Sequence, residues 1–531
     1  MSSCNCASIW ILLGLAGAVS AQTSPADRPA RVISVDYNKV RGPHSTVWKE
    51  CIGAGRANEG LRADWQQQLA LVQKEIGFRY IRMHGLLHDD MGVYREVKGQ
   101  PVYNWQYIDK LYDYLLHVGL KPFVELAFMP HDLASGDKTV FWWRGNITPP
   151  KSYERWGELI ANLVRHFRER YGDAEVKTWY FEVWNEPDIP PFWSADLAEY
   201  LKLYRAAAEA VKSVSKDYRV GGPASAIPYQ FEQELVKYCA REHVPLDFVS
   251  THSYGVKEGY FDDTGFRGTV LDGDRTVVRS RMLHSRELIR QSEMPNLPLH
   301  FTEWSSAYTP TDYVHDQYHQ AAFILDKIKG AQEAVDSMSY WVFTDIFEEN
   351  GPRMTPFHGG FGLLNYQGIR KPAYFAFEFL NRLGPEELAN GDDSSWVCQN
   401  AAGDVQALVW DFTPIMPPEG VNDQVFYKQE QPSRQAGAAS LKIANLPAGT
   451  YALSVYQTGY RVNDAYTTYL DMGSPSQLTR AQEETLRESA GGAPVRQEVV
   501  KHGGGVFVRD FPLRQNDVFL LVLRNLKRFS E

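Results

Sequence analysis

The stretch ADWQQQLALVQKEIGFRYIRMH, residues 63–84, predicts a helix, a turn and a strand in succession. Apolar residues recur every three or four positions as far as Ile76, which is the period of an amphipathic helix. Gly77 is typical of a helix C-terminus, and the apolar run YIRMH (80–84) then predicts a strand. LLHVGLKPFVEL, residues 115–126, repeats the same order. The chain is therefore expected to alternate helices with strands.

Eight short apolar runs of this kind lie between Glu50 and Phe343. They are ECIGAG (50–55), YIRMH (80–84), PFVEL (122–126), YFEVW (180–184), RVGG (219–222), FVSTH (248–252), LHFTE (299–303) and SYWVF (339–343). Eight strand–helix repeats over roughly 300 residues predict an α/β fold of the (β/α)8 TIM-barrel type. A doubly wound sheet is the alternative, but GAGRANEG (53–60) only loosely approaches the Gly-rich phosphate turn that such a sheet would carry.

After about Pro385 the pattern changes to β-like runs separated by Gly, Pro and Asn. The runs are VQALVWDF (405–412), LKIANLPAGTYALSVYQ (441–457), GGVFVRDF (504–511) and DVFLLVLR (517–524). They predict a C-terminal accessory β-sandwich. VISVDY (32–37) is expected to add a strand to it. The predicted units are therefore residues 22–47 with the sandwich, 48–384 as the catalytic barrel and 385–531 as the accessory domain.

The front of the chain carries a candidate signal peptide. IWILLGLAGAVSA, residues 9–21, has the length of a signal-peptide core and is too short to span a bilayer. Val19 and Ala21 suit cleavage before Gln22, although residues 1–7 contain no Lys or Arg. The prediction is a signal peptide over 1–21, a secreted or periplasmic mature protein and no membrane attachment after cleavage. A buried first helix is the alternative.

Composition excludes some classes of function. The formal net charge is −10, and there is no long basic run, so a nucleic-acid partner is not expected. The 14 Trp and 29 Tyr residues are numerous, and such rings bind sugars and peptides as well as filling cores. Beyond the signal peptide, Cys51, Cys239 and Cys398 have no metal-site spacing and are expected to be buried thiols. No metal or cofactor is predicted.

Two glutamates stand where barrel strands four and seven end. Glu186 follows strand four in WYFEVWNEPDIPPFW (179–193), and Glu303 ends strand seven in LHFTEW (299–304). The carboxyl ends of barrel strands meet at one mouth, where TIM-barrel active sites lie. A pair of carboxylates there suits glycoside hydrolysis. Tyr254 ends strand six, so it is expected to donate a hydrogen bond to Glu303, whose charge should raise the pKa of Glu186.

These motifs, in this order, resemble a known enzyme family. WNEP followed by TEW resembles clan A of the retaining glycoside hydrolases. YIRMHGLLHDDM (80–91), DFVSTHSYG (247–255) and SYWVFTDIFEENG (339–351) resemble glycoside hydrolase family 39 in particular. The resemblance runs from about Trp48 to Leu383, and NDAYTTYLDMGSP (463–475) also resembles the accessory β-domain of that family.

The resemblance implies a role for each matching position. Glu186 would be the acid/base and Glu303 the nucleophile, with a cis peptide bond between Trp341 and Val342. The residues that would line the subsite of the cleaved sugar are His84, Asn185, His252, Tyr254, Trp341, Glu348, Glu349 and Phe128. The two aromatic residues after Glu186, Phe192 and Trp193, are candidates for contact with the leaving group.

The family contains β-xylosidases and α-L-iduronidases, and Glu348 with Glu349 favours the former. An iduronidase must bind a substrate carboxylate, which two glutamates would repel; Arg353 is close enough in sequence to keep that alternative open. The prediction is a retaining exo-glycosidase that cleaves β-xylosidic bonds in xylosides or xylo-oligosaccharides. A β-galactosidase, β-glucosidase, arabinosidase or α-L-iduronidase, or a non-catalytic carbohydrate-binding protein, remains an alternative. A homo-oligomer is possible, and the sequence does not decide it.

Overall fold

The computed structural model describes residues 31–261 and 267–526, so the predicted signal peptide lies outside the described residues. Within these ranges the chain forms 24 β-strands and 12 α-helices. The strands are β1 Arg31–Asp36, β2 Val40–Pro43, β3 Cys51–Arg56, β4 Tyr80–His84, β5 Tyr94–Val97, β6 Gln100–Tyr103, β7 Lys121–Leu126, β8 Thr139–Val140, β9 Gly145–Asn146, β10 Tyr180–Val183, β11 Arg219–Ser225, β12 Phe248–Tyr254, β13 Val256–Phe261, β14 Arg267–Leu271, β15 Leu299–Ser305, β16 Ser337–Tyr340, β17 Glu386–Leu388, β18 Ser395–Gln399, β19 Val405–Trp410, β20 Gln435–Ala444, β21 Gly449–Thr458, β22 Arg496–His502, β23 Phe507–Arg514 and β24 Val518–Asn525. The helices are α1 Ala63–Glu75, α2 Gln106–His117, α3 Tyr153–Tyr171, α4 Asp173–Val176, α5 Leu197–Val214, α6 Gln230–Glu242, α7 Val277–Arg290, α8 Gln320–Ala331, α9 Pro372–Asn381, α10 Asp423–Tyr427, α11 Ala465–Asp471 and α12 Arg480–Ser489.

Eight parallel strands close into a barrel, which confirms the predicted barrel fold. Going round the barrel, the strands follow chain order: β3, β4, β7, β10, β11, β12, β15 and β16, which pairs again with β3. Each overlaps one of the eight predicted apolar runs, although the eighth run was predicted over 339–343 and the strand is Ser337–Tyr340. The last strand ends at Tyr340, so Trp341 lies just beyond it. The carboxyl ends of all eight strands therefore share one mouth.

The helices pack an apolar stripe against the outside of the barrel. In α3 the buried residues include Trp156, Leu159, Ile160, Leu163 and Phe167, which recur every three or four positions. The helix begins at a Ser152 cap, whose side chain accepts from the Arg155 backbone N–H. None of the helices in the described ranges combines the length and apolar content needed to cross a bilayer.

The barrel interior changes from apolar to charged along its axis. Near the amino ends of the strands, Cys51, Phe123 and Phe248 form an apolar cluster with Tyr80 and Tyr180 packed against it. We call this cluster the apolar plug. Alternation along β4 places Arg82 inside the barrel one layer above Tyr80, and His84 one layer higher still. The layer above the apolar plug contains the charged Arg82, and the next layer, with His84, reaches the mouth.

Two further sheets lie in the C-terminal part of the chain. One has seven strands in the order β2-β17-β18-β19-β24-β21-β22, and the other has three in the order β1-β20-β23. Side chains from both sheets meet in one apolar cluster, for example Val397 and Leu521 of the first and Ile33, Leu441 and Phe511 of the second. The first two strands of the described residues thus pair with C-terminal strands, β1 in parallel with β20 and β2 antiparallel with β17.

The predicted state of the three cysteines is confirmed. Cys51, Cys239 and Cys398 are free and buried. Burial raises the pKa of both Cys51 and Cys239 to about 12, so these thiols stay protonated and act as small apolar side chains.

Candidate active site

Glu186 and Glu303 meet at the mouth of the barrel. Glu303 lies on β15, and Glu186 lies three residues beyond Val183, the last residue of β10. Both are nearly enclosed, with 8% and 4% of their surface exposed. One carboxylate oxygen of each, together with a ring nitrogen of His252, lie within 4.8 Å of one another. The two predicted carboxylates are therefore close enough to act on one bond.

The chain around Glu186 is held in an unusual conformation. Its φ angle is +46°, which is uncommon for a residue other than glycine and has to be held by its surroundings. The Glu186 backbone N–H donates to the Ala224 carbonyl at 2.9 Å. Asp188 accepts from the backbone N–H groups of Ala226 and Ile227, both at 2.8 Å. The loop after β10 is thus fastened to the loop after β11, and this aims Glu186 into the mouth.

Glu186 has the environment of a protonated acid. Burial raises its pKa well above the ordinary value, and the nearby charge of Glu303 raises it further, followed by that of Asp188. Nδ1 of His252 lies 2.8 Å from Oε1 of Glu186. Burial also lowers the pKa of His252 well below its ordinary value, so the ring is neutral and adds no charge that would ionise Glu186. The predicted influence of Glu303 is present, but burial is the larger cause.

Glu303 is surrounded by donors instead. Arg82 Nη1 donates to Oε1 at 2.7 Å, and the Tyr254 hydroxyl donates to Oε2 at 2.6 Å, which confirms the predicted hydrogen bond from Tyr254. The pKa of Glu303 is raised, because burial outweighs the opposing effects of Arg82, of His84 and of the Tyr254 hydrogen bond. These two donors stabilise the ionised form, and Glu186 has no such cation in direct contact.

Asn185, His84 and Trp341 stand around the carboxylate pair. Oδ1 of Asn185 accepts from Arg82 Nη2 at 2.8 Å, which orients the side chain so that its NH2 group remains to donate. The His84 ring centre lies 4.7 Å from that of Trp341. The peptide bond between Trp341 and Val342 is cis, as the resemblance implied. The polar and aromatic groups that a sugar ring needs are thus assembled in one place.

Two glycines of β3 make room for this arrangement. A Cβ on Gly53 would lie 2.4 Å from Cε3 of Trp341, and one on Gly55 would lie 2.2 Å from Oε2 of Glu59. Real Cβ contacts are not this short, so side chains here would displace the indole and the carboxyl group. The GAG sequence that loosely resembles a phosphate turn is therefore a packing requirement of the barrel mouth.

The structure separates Glu348 from Glu349. Both Glu348 oxygens are held by cations, Oε2 by Arg56 at 3.1 Å and Oε1 by Arg62 at 2.9 Å. Oε1 of Glu349 instead lies 3.6 Å from Nε2 of His84. Burial, followed by the charge of Glu303, raises the pKa of Glu349 well above its ordinary value. Glu349 thus faces the candidate site, and Glu348 secures the loop that carries it.

The remaining aromatic candidates lie behind the site. Phe128 is fully buried and packs near His84, with ring centres 6.1 Å apart, and edge-on against Trp184. Trp193 is also buried and packs on Trp184 at 5.0 Å, so the expectation that it contacts a leaving group is wrong. Phe192 is only partly buried and lies between Phe128 and Phe141.

The sequence interpretation missed Arg82 and Glu125. The Arg82 guanidinium contacts Glu125 at 2.9 Å, Glu182 at 2.5 Å and Glu303 at 2.7 Å. Glu125 also lies 2.7 Å from Nδ1 of His84. A signal was present in YIRMH and PFVEL, because a charged residue inside a strand that is otherwise buried needs a buried partner.

The donor set at the mouth does not need a metal ion to account for it. Among the described residues, Glu186, His252 and Glu303 are the group whose ligand atoms lie close enough for an ion. However, Oε1 of Glu186 is already hydrogen-bonded by His252, and both oxygens of Glu303 are bonded by Arg82 and Tyr254. The prediction that no metal binds here stays a prediction.

Comparison with known proteins places this arrangement in a family. The sequence pattern of glycosyl hydrolases family 39 matches residues 31–501. A β-xylosidase of Geobacillus stearothermophilus is 44% identical over 410 residues, which are 74% of this chain and 79% of that protein.

Two solved structures are also similar over nearly their whole length. The GH39 enzyme from Xanthomonas axonopodis pv. citri is 41% identical, with a TM-score of 0.92 over 95% of this chain and 99% of that chain. A monomeric β-xylosidase from Caulobacter crescentus CB15 is also 41% identical, with a TM-score of 0.90 over 94% of this chain and 100% of that chain.

Proposed function

The chain belongs to glycosyl hydrolase family 39 and is a glycoside hydrolase, and from this premise we propose that it cleaves β-xylosidic bonds with retention of configuration. The observation that carries the proposal is the short distance between two carboxyl groups in unlike surroundings, those of Glu186 and Glu303. One oxygen of Glu186 lies within 4.8 Å of one oxygen of Glu303. Retaining glycosidases hold their two carboxyl groups about 5 to 5.5 Å apart, and inverting ones about 6.5 to 9.5 Å.

In the first step Glu303 is the nucleophile. Its ionised carboxylate attacks the anomeric carbon while the bond to the leaving oxygen breaks, and the Glu186 O–H gives its proton to that oxygen. The leaving group departs as an alcohol, and the sugar remains as an ester of Glu303. Arg82 and Tyr254 donate to the two oxygens of the nucleophile and so stabilise its ionised form.

In the second step the roles reverse. Glu186, now a carboxylate, takes a proton from a water molecule whose oxygen attacks the same carbon, and Glu303 leaves with its electron pair. Glu186 ends the cycle protonated, and the released sugar has the anomeric configuration of the substrate. Two inversions at one carbon give retention.

The contacts at the inner end of the site favour a neutral sugar. Glu349 lies 3.6 Å from His84, and both present hydrogen-bonding groups without positive charge, because burial lowers the pKa of His84 to about 3. A carboxylate on the substrate would meet the negative charge of Glu303, which is unfavourable. Arg353 is partly buried, and its Nε and Nη2 atoms have no hydrogen-bond partner in the described part of the chain, so the iduronide alternative is included in the test below.

The wall beside Glu349 supports cleavage from the non-reducing end. The Trp142 backbone N–H donates to the Glu349 carbonyl at 2.6 Å, and the Phe141 ring stacks on His84 at 5.7 Å. In the proposed exo mode, this segment limits the site beyond the residues proposed to bind the outer hydroxyls.

A panel of nitrophenyl glycosides with ¹H NMR of the first-formed sugar tests sugar and stereochemistry together. We expect the highest kcat/KM on the β-xyloside and first release of β-xylose. A higher kcat/KM on the β-galactoside, β-glucoside, an arabinoside or an α-L-iduronide would replace the proposed sugar, and first release of α-xylose would exclude retention. Binding of xylo-oligosaccharides without release of any sugar would favour a non-catalytic carbohydrate-binding protein.

Two proposals concern the rest of the chain. We infer that the two C-terminal sheets, which share one apolar cluster, form the accessory β-sandwich. The proposal of secretion rests on the apolar run 9–21. A mature protein that begins at Gln22 in the periplasm or medium would support it, and an intact N-terminus in the cytoplasm would contradict it.

A further inference from the structure

Glu125 and His84 form a buried pair that the double-displacement steps do not use. Nδ1 of His84 lies 2.7 Å from Oε2 of Glu125, and both residues are almost completely buried. At that distance one proton lies between the two atoms, either on the ring or on the carboxyl group. Its position decides what the other ring nitrogen, Nε2, can do in the candidate site.

The surroundings of Nε2 call for a proton on that nitrogen. Nε2 lies 3.6 Å from Oε1 of Glu303 and 3.6 Å from Oε1 of Glu349. A bare lone pair there would face Oε1 of Glu303, which already accepts from Arg82, whereas an N–H would face that oxygen favourably. The ring is neutral, since burial lowers the pKa of His84 to about 3, so it carries one proton only. With that proton on Nε2, Nδ1 is an acceptor and Glu125 must be the donor.

Charge balance around Arg82 agrees with a neutral Glu125. One guanidinium contacts three carboxyl groups, those of Glu125, Glu182 and Glu303, and Arg82 has no exposed surface. Three buried negative charges against one positive charge would be costly. Burial raises the pKa of Glu125 to about 8, against the opposing effect of Arg82. A protonated Oε2 can accept from Arg82 and donate to His84 at the same time.

We propose that Glu125 is a positioning residue, held as a neutral acid, whose O–H donates to Nδ1 of His84 and keeps the His84 proton on Nε2, where it faces the substrate site. His84 is then a fixed donor whose Nε2 faces Glu303 and Glu349 at 3.6 Å and can hydrogen-bond a sugar hydroxyl placed there. Because a neutral Glu125 needs no counter-ion, the positive charge of Arg82 then balances Glu182 and Glu303 alone. That a sugar lies at Nε2 rests on the proposed function, but the position of the two protons does not.

Neutron diffraction from a deuterium-exchanged crystal of the full chain near pH 6 tests the proton positions directly. We expect deuterium on Oε2 of Glu125 and on Nε2 of His84, and none on Nδ1. Deuterium on Nδ1, whether Nε2 carries one as well or not, overturns the proposal. This result is independent of which glycoside the protein cleaves, so a failure of the proposed function would not be confused with it.

Substitution of Glu125 gives a second, functional test. In Glu125→Gln the group that replaces Oε2 can be an acceptor for Arg82 or a donor to His84, but no longer both. We expect kcat/KM on the best nitrophenyl glycoside to fall by at least about tenfold, as when a catalytic histidine loses the group that sets its tautomer. The His84 proton should also move to Nδ1 in the neutron map of the variant.

Glu232→Gln is the matched control, because Glu232 is also a buried glutamate but lies on α6, bonded to Tyr229 and Ser225. We expect this control to keep kcat/KM within about twofold of the parent protein. A Glu125→Gln protein whose kcat/KM is unchanged although the His84 proton has moved to Nδ1 would overturn the inference that Glu125 positions a proton the reaction needs.

Discussion

Glu186 and Glu303 are chemically the same side chain, and their neighbours make them different. Both are buried, and burial raises both pKa values. Arg82 and Tyr254 partly offset the effect of burial on the pKa of Glu303, because they donate to its two oxygens. Glu186 has a neutral His252 as its hydrogen-bond partner. The charge with the largest effect on the pKa of Glu186 is that of Glu303, which raises it. One carboxyl group is therefore disposed to keep a proton and the other to lose it.

Replacing Glu186 by alanine should separate the two halves of the reaction. Without the acid, we expect kcat/KM on xylosides with poor leaving groups to fall by about 10²- to 10⁴-fold, and much less on an aryl xyloside whose leaving group needs no proton. Added azide should restore turnover of the aryl substrate and give a β-xylosyl azide, because a small anion can occupy the space of the missing carboxyl group. Equal loss on both substrates, without azide rescue, would show that Glu186 is not the acid/base.

Replacing Glu303 by glutamine should lower the pKa of Glu186. The charge of Glu303 is the second largest cause of the raised Glu186 pKa, so its removal favours ionisation of Glu186. Burial remains, so the pKa should stay above the ordinary value of a glutamate. A ¹³C NMR titration of labelled glutamate side chains in the parent protein and the variant measures the change. A Glu186 pKa that is unchanged or raised in the variant would mean that the two carboxyl groups do not interact as described.

At the scale of single elements, the inward-facing residues of a barrel strand fill the apolar plug at one end and form the polar site at the other. Along β4 the inward side chains pass from Tyr80 in the apolar plug through Arg82 to His84 at the mouth. The same spacing on β7 places Phe123 in the plug and Glu125 above it. The strand alternation that closes the barrel therefore also delivers the polar residues of the site.

Replacing Gly53 by alanine tests how far β3 positions Trp341. The new Cβ would lie 2.4 Å from the indole, so the ring must move. Overpacking of this kind costs about 1 to 3 kcal/mol of unfolding free energy. We expect KM on the aryl xyloside to rise by about tenfold, equivalent to about 1.4 kcal/mol of binding, and kcat to change less.

Gly391→Ala is the control for the Gly53 substitution, because no atom lies within 4 Å of the position that its Cβ would take. It should leave both kinetic constants and the melting temperature close to those of the parent protein. If Gly53→Ala lowers the melting temperature but leaves KM unchanged, then Trp341 does not contribute to binding in the way that we propose.

At the scale of the whole molecule, the sequence predicted the barrel better than it predicted the site. All eight strands were identified, since each is an apolar run bounded by turn residues, and that signal is local. The carboxylate pair was predicted because strand ends converge. Arg82 and Glu125 were missed because their importance depends on contacts between strands that are far apart in sequence. Trp193 was misassigned because an aromatic residue near a site looks the same in sequence whether it faces the core or the solvent.

The C-terminal part of the chain also supports the mouth of the barrel. Tyr427 of α10 is fully buried and belongs to the same apolar cluster as Tyr254 and Trp341. The Gln317 side chain, in the loop after β15, donates to the Tyr427 carbonyl at 2.6 Å. Asp423 of the same helix accepts from the Leu271 backbone N–H of β14 at 2.8 Å. The loops that follow barrel strands six and seven are thus bound to a helix that comes more than 100 residues later.

Tyr427→Ala should therefore damage stability and substrate binding together. Removing a buried aromatic ring costs about 3 to 5 kcal/mol of unfolding free energy, and the cavity would lie in the cluster that includes Trp341 and Tyr254. We expect a lower urea midpoint and a KM on the aryl xyloside raised by at least about threefold, since Tyr254 orients Glu303.

Tyr427→Phe, which loses only the hydrogen bond to the Ile415 carbonyl, should cost about 1 kcal/mol and leave KM unchanged. Val425→Ala, at an exposed position of the same helix, controls for the helix itself. A Tyr427→Ala protein that is destabilised but binds substrate with an unchanged KM would show that the C-terminal helix stabilises the barrel without shaping its mouth.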